Sequence, residues 1–312
     1  MAMDMATETR CPLCGACDLI VRHQLPHPDY QTVRCAACRF TFMHPYPSDE
    51  FLDGHYKQRP LYGLESEKAE YYSRAIADRG GVITTMLSRI PEAPRHGRAI
   101  DVGAGIGIAV AALRDLGFDA IGLEKNPGAA AAGRQLFNVE ITDRMLDEVP
   151  EGVNLFTMFE VLEHIKYPAK FVRILADKLS SGGCLAGSVP NYDGLGRYLY
   201  GAGSIALGFP EHINQFTRTT LRRTLEEGGL GVVYIGFPPP YGVSLTLSLR
   251  KSIRRRFGEG ALARTAVGIL TFMKKYLVYP PLNFFAETTG LLGHGLVFIA
   301  RKPYISGTPP SP

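Results

Sequence analysis

The stretch Ala99-Ile-Asp-Val-Gly-Ala-Gly-Ile-Gly107 constrains this chain more than any other. A short apolar run ends in alternating glycines and opens into an amphipathic segment, which reads as strand, tight loop and helix. Glycine at 103 and 105 lets the backbone turn sharply and a ligand approach it closely. The helix that follows offers free N–H groups at its start. A dinucleotide loop wants a further glycine at position 108, but that residue is Ile108 and the third glycine is Gly107. Nicotinamide-linked oxidoreduction is therefore disfavoured, and the G-x-G-x-G spacing preceded by Asp101 fits another ligand. One strand later comes Ile121-Gly-Leu-Glu124. A carboxylate at the carboxyl end of the second strand can accept both hydroxyls of a ribose.

Between residues 98 and 236, short apolar runs alternate with amphipathic ones. Strands are predicted at 99–102, 120–124, 155–158, 184–189 and 232–236, and a last one at 296–300. Helices are predicted at 107–116, 128–136, 169–179 and 219–227. In the third, Phe171, Ile174, Leu175 and Leu179 fall on one face. Strands alternating with helices give βαβ units, so the expected fold is α/β: a Rossmann-like, doubly wound, mostly parallel sheet. Hydrophobic residues form 46% of the 312 and charged residues 21%, enough to bury a sizeable core and to exclude wholesale disorder. The chain divides into a tail (1–10), a cysteine-rich ribbon (11–45) and a helical linker (46–95, helical around 65–90). The main domain follows (96–301), with a helical basic insertion at 238–293 before the last strand, and then a second tail (302–312).

A net charge of +4 is too mild to argue for nucleic acid. No apolar run reaches the roughly 18 residues of a membrane span, and the N-terminus shows no apolar signal core. A cytoplasmic protein with reduced thiols is expected. Five of the six cysteines lie between Cys11 and Cys38. Cys11-Pro-Leu-Cys14 and Cys35-Ala-Ala-Cys38 are two C-x-x-C knuckles 20 residues apart, the spacing of a four-thiolate zinc ribbon. Cys17 is a spare, and the paired spacing favours Cys14 over it. A redox role would need a thioredoxin-like βαβ context that is missing here. The ribbon reads as a small unit stapled by metal. Arg34 and Arg39 make no basic patch, so nucleic acid is not an expected partner. Cys184 falls in a strand and is expected in the core.

Residues 96–236 and the final strand resemble the class I S-adenosylmethionine-dependent methyltransferases. The resemblance rests on the glycine loop, Glu124, Phe159-Glu-Val-Leu-Glu-His164, the 179–191 stretch ending Val-Pro-Asn191, and Pro210-Glu-His-Ile-Asn-Gln-Phe216. It points to the branch of ubiquinone-biosynthesis O-methyltransferases and of many glycan and natural-product methyltransferases. By that resemblance, Asp101, Gly103, Gly105 and Gly107 line the methionine part of the donor and Glu124 holds its ribose. Asp143-Arg-Met145 would flank the adenine, and Phe159 and Glu160 would close the other side.

On the acceptor side, Glu160, Glu163 and His164 have spacing i, i+3, i+4 and would share a face if helical. His212 follows the predicted strand 184–189 and comes to the same end of the sheet. Two carboxylates and two imidazoles can bind a divalent cation such as magnesium, which lowers the pKa of an acceptor hydroxyl. A similar Glu-x-x-Glu-His with a downstream His is a metal site in small-RNA 2′-O-methyltransferases. Two other readings stand beside it: His164 as a direct general base, and a purely structural role. The loop 192–210, with Tyr192, Tyr198 and Tyr200, is placed to cover the acceptor. Between Arg250 and Lys275 there are eight basic residues and one acidic residue, Glu259. The segment 250–285 is either a helical flap with a solvated basic face or a peripheral contact for an anionic membrane or a phosphorylated substrate. The expected activity is S-adenosylmethionine-dependent methylation of a hydroxyl on a sugar, glycolipid or small metabolite. RNA methylation is one alternative. A zinc-ribbon adaptor with an inactive nucleoside-binding domain is another.

Overall fold

In the computed structural model, residues 10–25, 27–58, 69–194, 208–237 and 295–304 are described. Three strands come first, β1 (Leu19–Gln24), β2 (Gln31–Cys35) and β3 (Thr41–His44), followed by helices α1 (Asp49–Gln58) and α2 (Ala69–Leu87). Next come β4 (Gly97–Val102), α3 (Ile108–Asp115), β5 (Phe118–Leu123), α4 (Pro127–Phe137) and β6 (Glu140–Thr142). The rest is β7 (Val153–Phe159), α5 (Pro168–Lys178), β8 (Leu179–Pro190), β9 (Asn214–Gln215), α6 (Arg218–Glu227), β10 (Gly231–Gly236) and β11 (Gly295–Arg301).

Seven strands make the central sheet, in the order β10-β11-β8-β7-β4-β5-β6. The β4–β5, β4–β7, β5–β6 and β7–β8 pairs are parallel, while β11 runs antiparallel between β8 and β10. The expected doubly wound sheet is thus present. Chain order reverses at β4, which opens a crevice at the carboxyl ends of the neighbouring strands.

Alternation along the strands feeds two cores. Ile100, Phe156, Met158, Leu185 and Phe298 face one side with Val172 and Leu175 of α5 and Leu221 and Leu225 of α6. Ala99, Leu155, Cys184, Ala186 and Ile299 face the other, with Ile83 and Met86 of α2 and Val110 and Leu113 of α3. Cys184 is fully buried, as its place in a strand predicts.

Local chemistry sets the helix starts. The Asn126 side chain accepts from the N–H groups of Gly128 and Ala129 at 3.0 and 3.1 Å, ahead of Pro127 at the first helical position of α4. Pro168 opens α5 in the same way, and Thr217 caps α6.

Several expectations are corrected. Ile174 is not on the buried face of α5: it is 44% exposed, and Val172, Leu175 and Ala176 face the core instead. Leu179 is the first residue of β8 rather than the end of α5. The short edge strand β6 carries only one buried residue, Ile141, too little apolar pattern to be read from sequence. The basic insertion 238–293, Tyr198, Tyr200 and the chain tails lie outside the described residues, apart from Arg10 and the 302–304 stretch.

The cysteine-rich segment builds a second sheet, ordered β1-β2-β3-β9. Its last strand comes from the far end of the sequence: Thr41 pairs with Gln215 and Phe42 with Asn214. Phe40 and Phe42 are buried in the core that holds α5 and α6, and the Phe40 and Phe216 rings lie 5.5 Å apart.

Candidate active site

The residues singled out in the main domain gather at the carboxyl ends of β4, β5, β6, β7 and β8. Asp101 lies near the end of β4, 3% exposed, and its Oδ1 accepts a hydrogen bond from Thr157 Oγ1 at 2.6 Å. Burial pushes its carboxyl up to about 7, against the lowering pull of the Thr157 hydroxyl and the Arg79 charge and with a further push from Glu124.

The glycine loop after β4 adopts positive φ at Gly103, Gly105 and Gly107 (69°, 52° and 81°). A Cβ on Gly103 would sit 2.7 Å from Val161 Cγ2, and one on Gly107 2.8 Å from Val139 Cγ2. At Gly105 a Cβ would meet nothing within 4 Å, so the loop is open there. Gly105 donates its N–H to Glu124 Oε2 at 2.8 Å, and Asn126 donates to Glu124 Oε1 at 2.7 Å. One carboxylate therefore ties the glycine loop to the turn that starts α4. The backbone N–H of Glu124 donates to Thr142 O at 2.9 Å, which brings the 143–145 loop beside it. Asp143 and Met145 are exposed there.

Phe159 ends β7, and the Arg79 guanidinium of α2 lies 3.8 Å from its ring centroid. Arg79 also acts electrostatically on Asp101 and Glu160. Sequence reasoning missed Arg79. Its only signal there is a basic residue on an amphipathic helix, which reads as solvated until the tertiary fold lays α2 over the strand ends.

The segment through Glu160, Glu163 and His164 is not an α-helix, so the i, i+3, i+4 spacing does not put the three on one face. Glu160 is left-handed, with φ 58°, and a 3₁₀ turn spans Leu162–His164. Glu160 turns to Ser188, whose Oγ donates to its Oε1 at 2.6 Å. Glu163, His164 and His212 do come together, with one candidate ligand atom from each lying within 4.8 Å of the others. Glu163 is 1% exposed, and neither of its oxygens has a hydrogen-bond partner among the described residues. Burial, and then repulsion from Glu160, holds its carboxyl well above the usual carboxylate range. His164 Nε2 lies 3.8 Å from Glu163 Oε1, while His164 Nδ1 is 2.9 Å from the Glu211 carbonyl oxygen. A carbonyl only accepts, so Nδ1 carries a proton, and Nε2 is the ring nitrogen on the Glu163 side. A buried acid facing two imidazoles fits a divalent cation, which would leave it ionised and satisfied.

In the ribbon, Cys11 and Cys38 Sγ atoms lie 3.5 Å apart, as do those of Cys14 and Cys35, and all four sulfurs fall within 4.8 Å of one another. Thiolates about 2.3 Å from a tetrahedral zinc would be about 3.8 Å apart, so the cluster fits that ion. Each knuckle closes on a left-handed residue: Gly15 donates to Cys11 O at 2.8 Å and Arg39 to Cys35 O at 2.9 Å. Cys38 is pushed down to about 5, chiefly by the hydrogen bond from Cys11. Cys17 is exposed and stands apart from the cluster.

Residues 71–235, more than half of the chain, match a family model described as a methyltransferase domain. The ubiquinone biosynthesis O-methyltransferase of Ruegeria pomeroyi is 29% identical over 143 residues, which span 43% of this chain and 56% of that relative. A solved S-adenosylmethionine-dependent methyltransferase from Mesorhizobium loti is 15% identical with a TM-score of 0.45, covering 70% of this chain and 96% of its own. Another, from Archaeoglobus fulgidus, is also 15% identical, with a TM-score of 0.46, covering 72% of this chain and 94% of its own. Among the described residues no helix is long and apolar enough to cross a membrane. With its glycine loop, Glu124 and the family match over 71–235, this chain belongs to the methyltransferase-domain family, in the S-adenosylmethionine-dependent class.

Proposed function

We propose that the protein methylates a hydroxyl of a sugar, glycolipid or other small metabolite, with S-adenosylmethionine as donor. The observation that carries the donor half is the Glu124 carboxylate, pinned by Gly105 and Asn126 at the mouth of an open glycine loop. Bound there, the donor supplies an electrophilic methyl group on a sulfonium. Asp101 meets the ammonium of its amino-acid tail, and Arg79 stands near enough to balance the charge on Asp101 and Glu160. Glu124 accepts the ribose hydroxyls, and the 143–145 loop lies against the base.

The acceptor half rests on Glu163, His164 and His212. An aliphatic hydroxyl must lose its proton as it attacks, and these three groups can manage that proton directly or through a divalent cation. The Nδ1 bond to the Glu211 carbonyl orients the His164 ring with Nε2 on the Glu163 side, the edge that would serve as ligand or base. Glu160 stands outside this group and shapes the wall between the donor and Ser188. The four thiolates hold a structural zinc, which suits a protein working in the reducing cytoplasm.

Methyl-labelled S-adenosylmethionine incubated with the protein and fractionated cell extract tests the reaction. Label should appear in small-molecule or glycan fractions as an acid-stable ether. Label confined to RNA, or none in any fraction, overturns the acceptor class. Manganese should bind the wild type and be lost in Glu163→Gln and His212→Gln. No binding to the wild type removes the cation and leaves His164 as base.

A further inference from the structure

The ribbon and the Glu163/His164/His212 cluster are far apart in sequence, yet the ribbon's last strand is bonded directly to the segment that carries His212. β3 pairs with β9, and the Met43 N–H donates to Ile213 O at 2.8 Å. Two residues past β3, at the ribbon's exit, the Tyr46 hydroxyl donates to Asn214 Oδ1 at 2.8 Å. Asn214, 1% exposed, passes the link on: its Nδ2 donates to Ile165 O, the residue after the turn that holds Glu163 and His164. Gln215 Nε2 donates to His212 O at 2.7 Å. From α1, His55 Nε2 lies 2.8 Å from Glu211 Oε1, and Glu211 supplies the carbonyl that orients the His164 ring. Tyr46 also packs on the Phe42 ring at 5.8 Å and against the apolar cluster that contains Cys11 and Cys38.

We propose that the four-cysteine ribbon is a positioning device for the Glu163/His164/His212 cluster, acting through the Tyr46–Asn214 hydrogen bond, so that ribbon integrity governs the acceptor side and not the donor pocket. This rests on the reading of that cluster as the acceptor-side site. The physical case is one of leverage. The 208–216 segment is anchored by β9, a strand of only two residues, and by the Asn191–Phe216 bridge at the end of β8. The short ladder, the Met43–Ile213 bond and the buried Ile213 and Phe216 hold the segment's backbone, and the side-chain bonds from Tyr46 and His55 add to that hold at Asn214 and Glu211, on either side of His212. The donor pocket takes its geometry from β4, β5, β7 and α2, none of which pairs with the ribbon sheet. Tyr46 and Asn214 are positioning residues: they act through the backbone of 162–165 and 211–213.

The test uses the full chain labelled with ¹⁵N-histidine, with the ring signals of His164 and His212 assigned by His164→Gln and His212→Gln. Tyr46→Phe keeps the ring and removes the hydroxyl bond. It should retain its zinc, bind S-adenosylhomocysteine within about twofold of the wild type, and shift the ring signals of both histidines as the His164 Nδ1–H bond to Glu211 O loosens. With both samples kept free of other divalent cations, loss of the ribbon zinc in Cys35→Ser should move the same two signals further in the same direction. Ring signals that stay fixed in both Tyr46→Phe and Cys35→Ser overturn the proposal. So does S-adenosylhomocysteine affinity that falls in step with the shifts, because the donor side would then share the dependence. Manganese binding to the wild type is read separately, so failure of the cation reading is told apart from failure of the ribbon's role.

Discussion

Replacing Glu124 with alanine removes one carboxylate that performs two jobs. In the structure its two oxygens accept the N–H groups of Gly105 and Asn126 at 2.8 and 2.7 Å. Each oxygen retains a second lone pair, enough for one ribose hydroxyl apiece. Hydrogen bonds to a charged group contribute about 1.5–3 kcal/mol each. Because Glu124 is only half-buried, the low end applies. Two such bonds come to about 3 kcal/mol, or roughly 150-fold in affinity. The orphaned N–H groups of Gly105 and Asn126 lie close to solvent and are rehydrated, so the unliganded protein loses only about 1 kcal/mol, about 2–3 °C in Tm for a chain of this size. Calorimetric titration with S-adenosylhomocysteine, alongside a thermal melt, separates the two effects. Glu124→Gln should fall between wild type and alanine, because its amide keeps one acceptor but turns a donor toward one of the backbone N–H groups. An alanine variant that binds within threefold of wild type would refute the ribose assignment. So would an affinity loss no larger than the melt explains.

Asp101 predicts a pH effect on stability. Its folded pKa of about 7 lies above the ordinary aspartate value of 3.8, so between those two values the native state binds more protons than the unfolded chain. Its contribution to stability is therefore present at low pH and is lost as pH rises from about 4 to about 7. Melts of wild type and Asp101→Asn over that range should show the wild type losing stability relative to the variant, by at most about 4 kcal/mol; parallel curves would contradict the buried-acid assignment. Elemental analysis should find one zinc per chain, kept in Cys17→Ser and lost in Cys35→Ser, and zinc retention in Cys35→Ser would remove the four-thiolate site.

The glycine loop, Glu124 and the paired cysteines were legible because each depends on local spacing. A tight turn after a strand needs residues that tolerate positive φ, and a tetrahedral thiolate site needs two short knuckles. The acceptor-side cluster was legible only in part. Glu163, His164 and His212 do meet, but the shared face with Glu160 holds only for a helix, and the chain makes a left-handed kink at Glu160 and a 3₁₀ turn instead, which turns Glu160 to Ser188. A Glu-x-x-Glu-His spelling is compatible with either geometry. The choice is made by β8, which offers Ser188 O to the Glu160 N–H at 2.9 Å.

By itself the sequence determined the alternation that makes a mostly parallel α/β sheet, the glycine loop at its carboxyl edge and the paired cysteine knuckles, because all of these are periodicities or short spacings along the chain. Only the tertiary structure decided that Arg79 lies over the Phe159 ring, that β11 inserts antiparallel beside β8, and that the ribbon borrows β9 from a segment some 170 residues away. Those outcomes depend on which surfaces find each other once buried area and backbone pairing are satisfied together, and no local pattern encodes a partner so far along the chain.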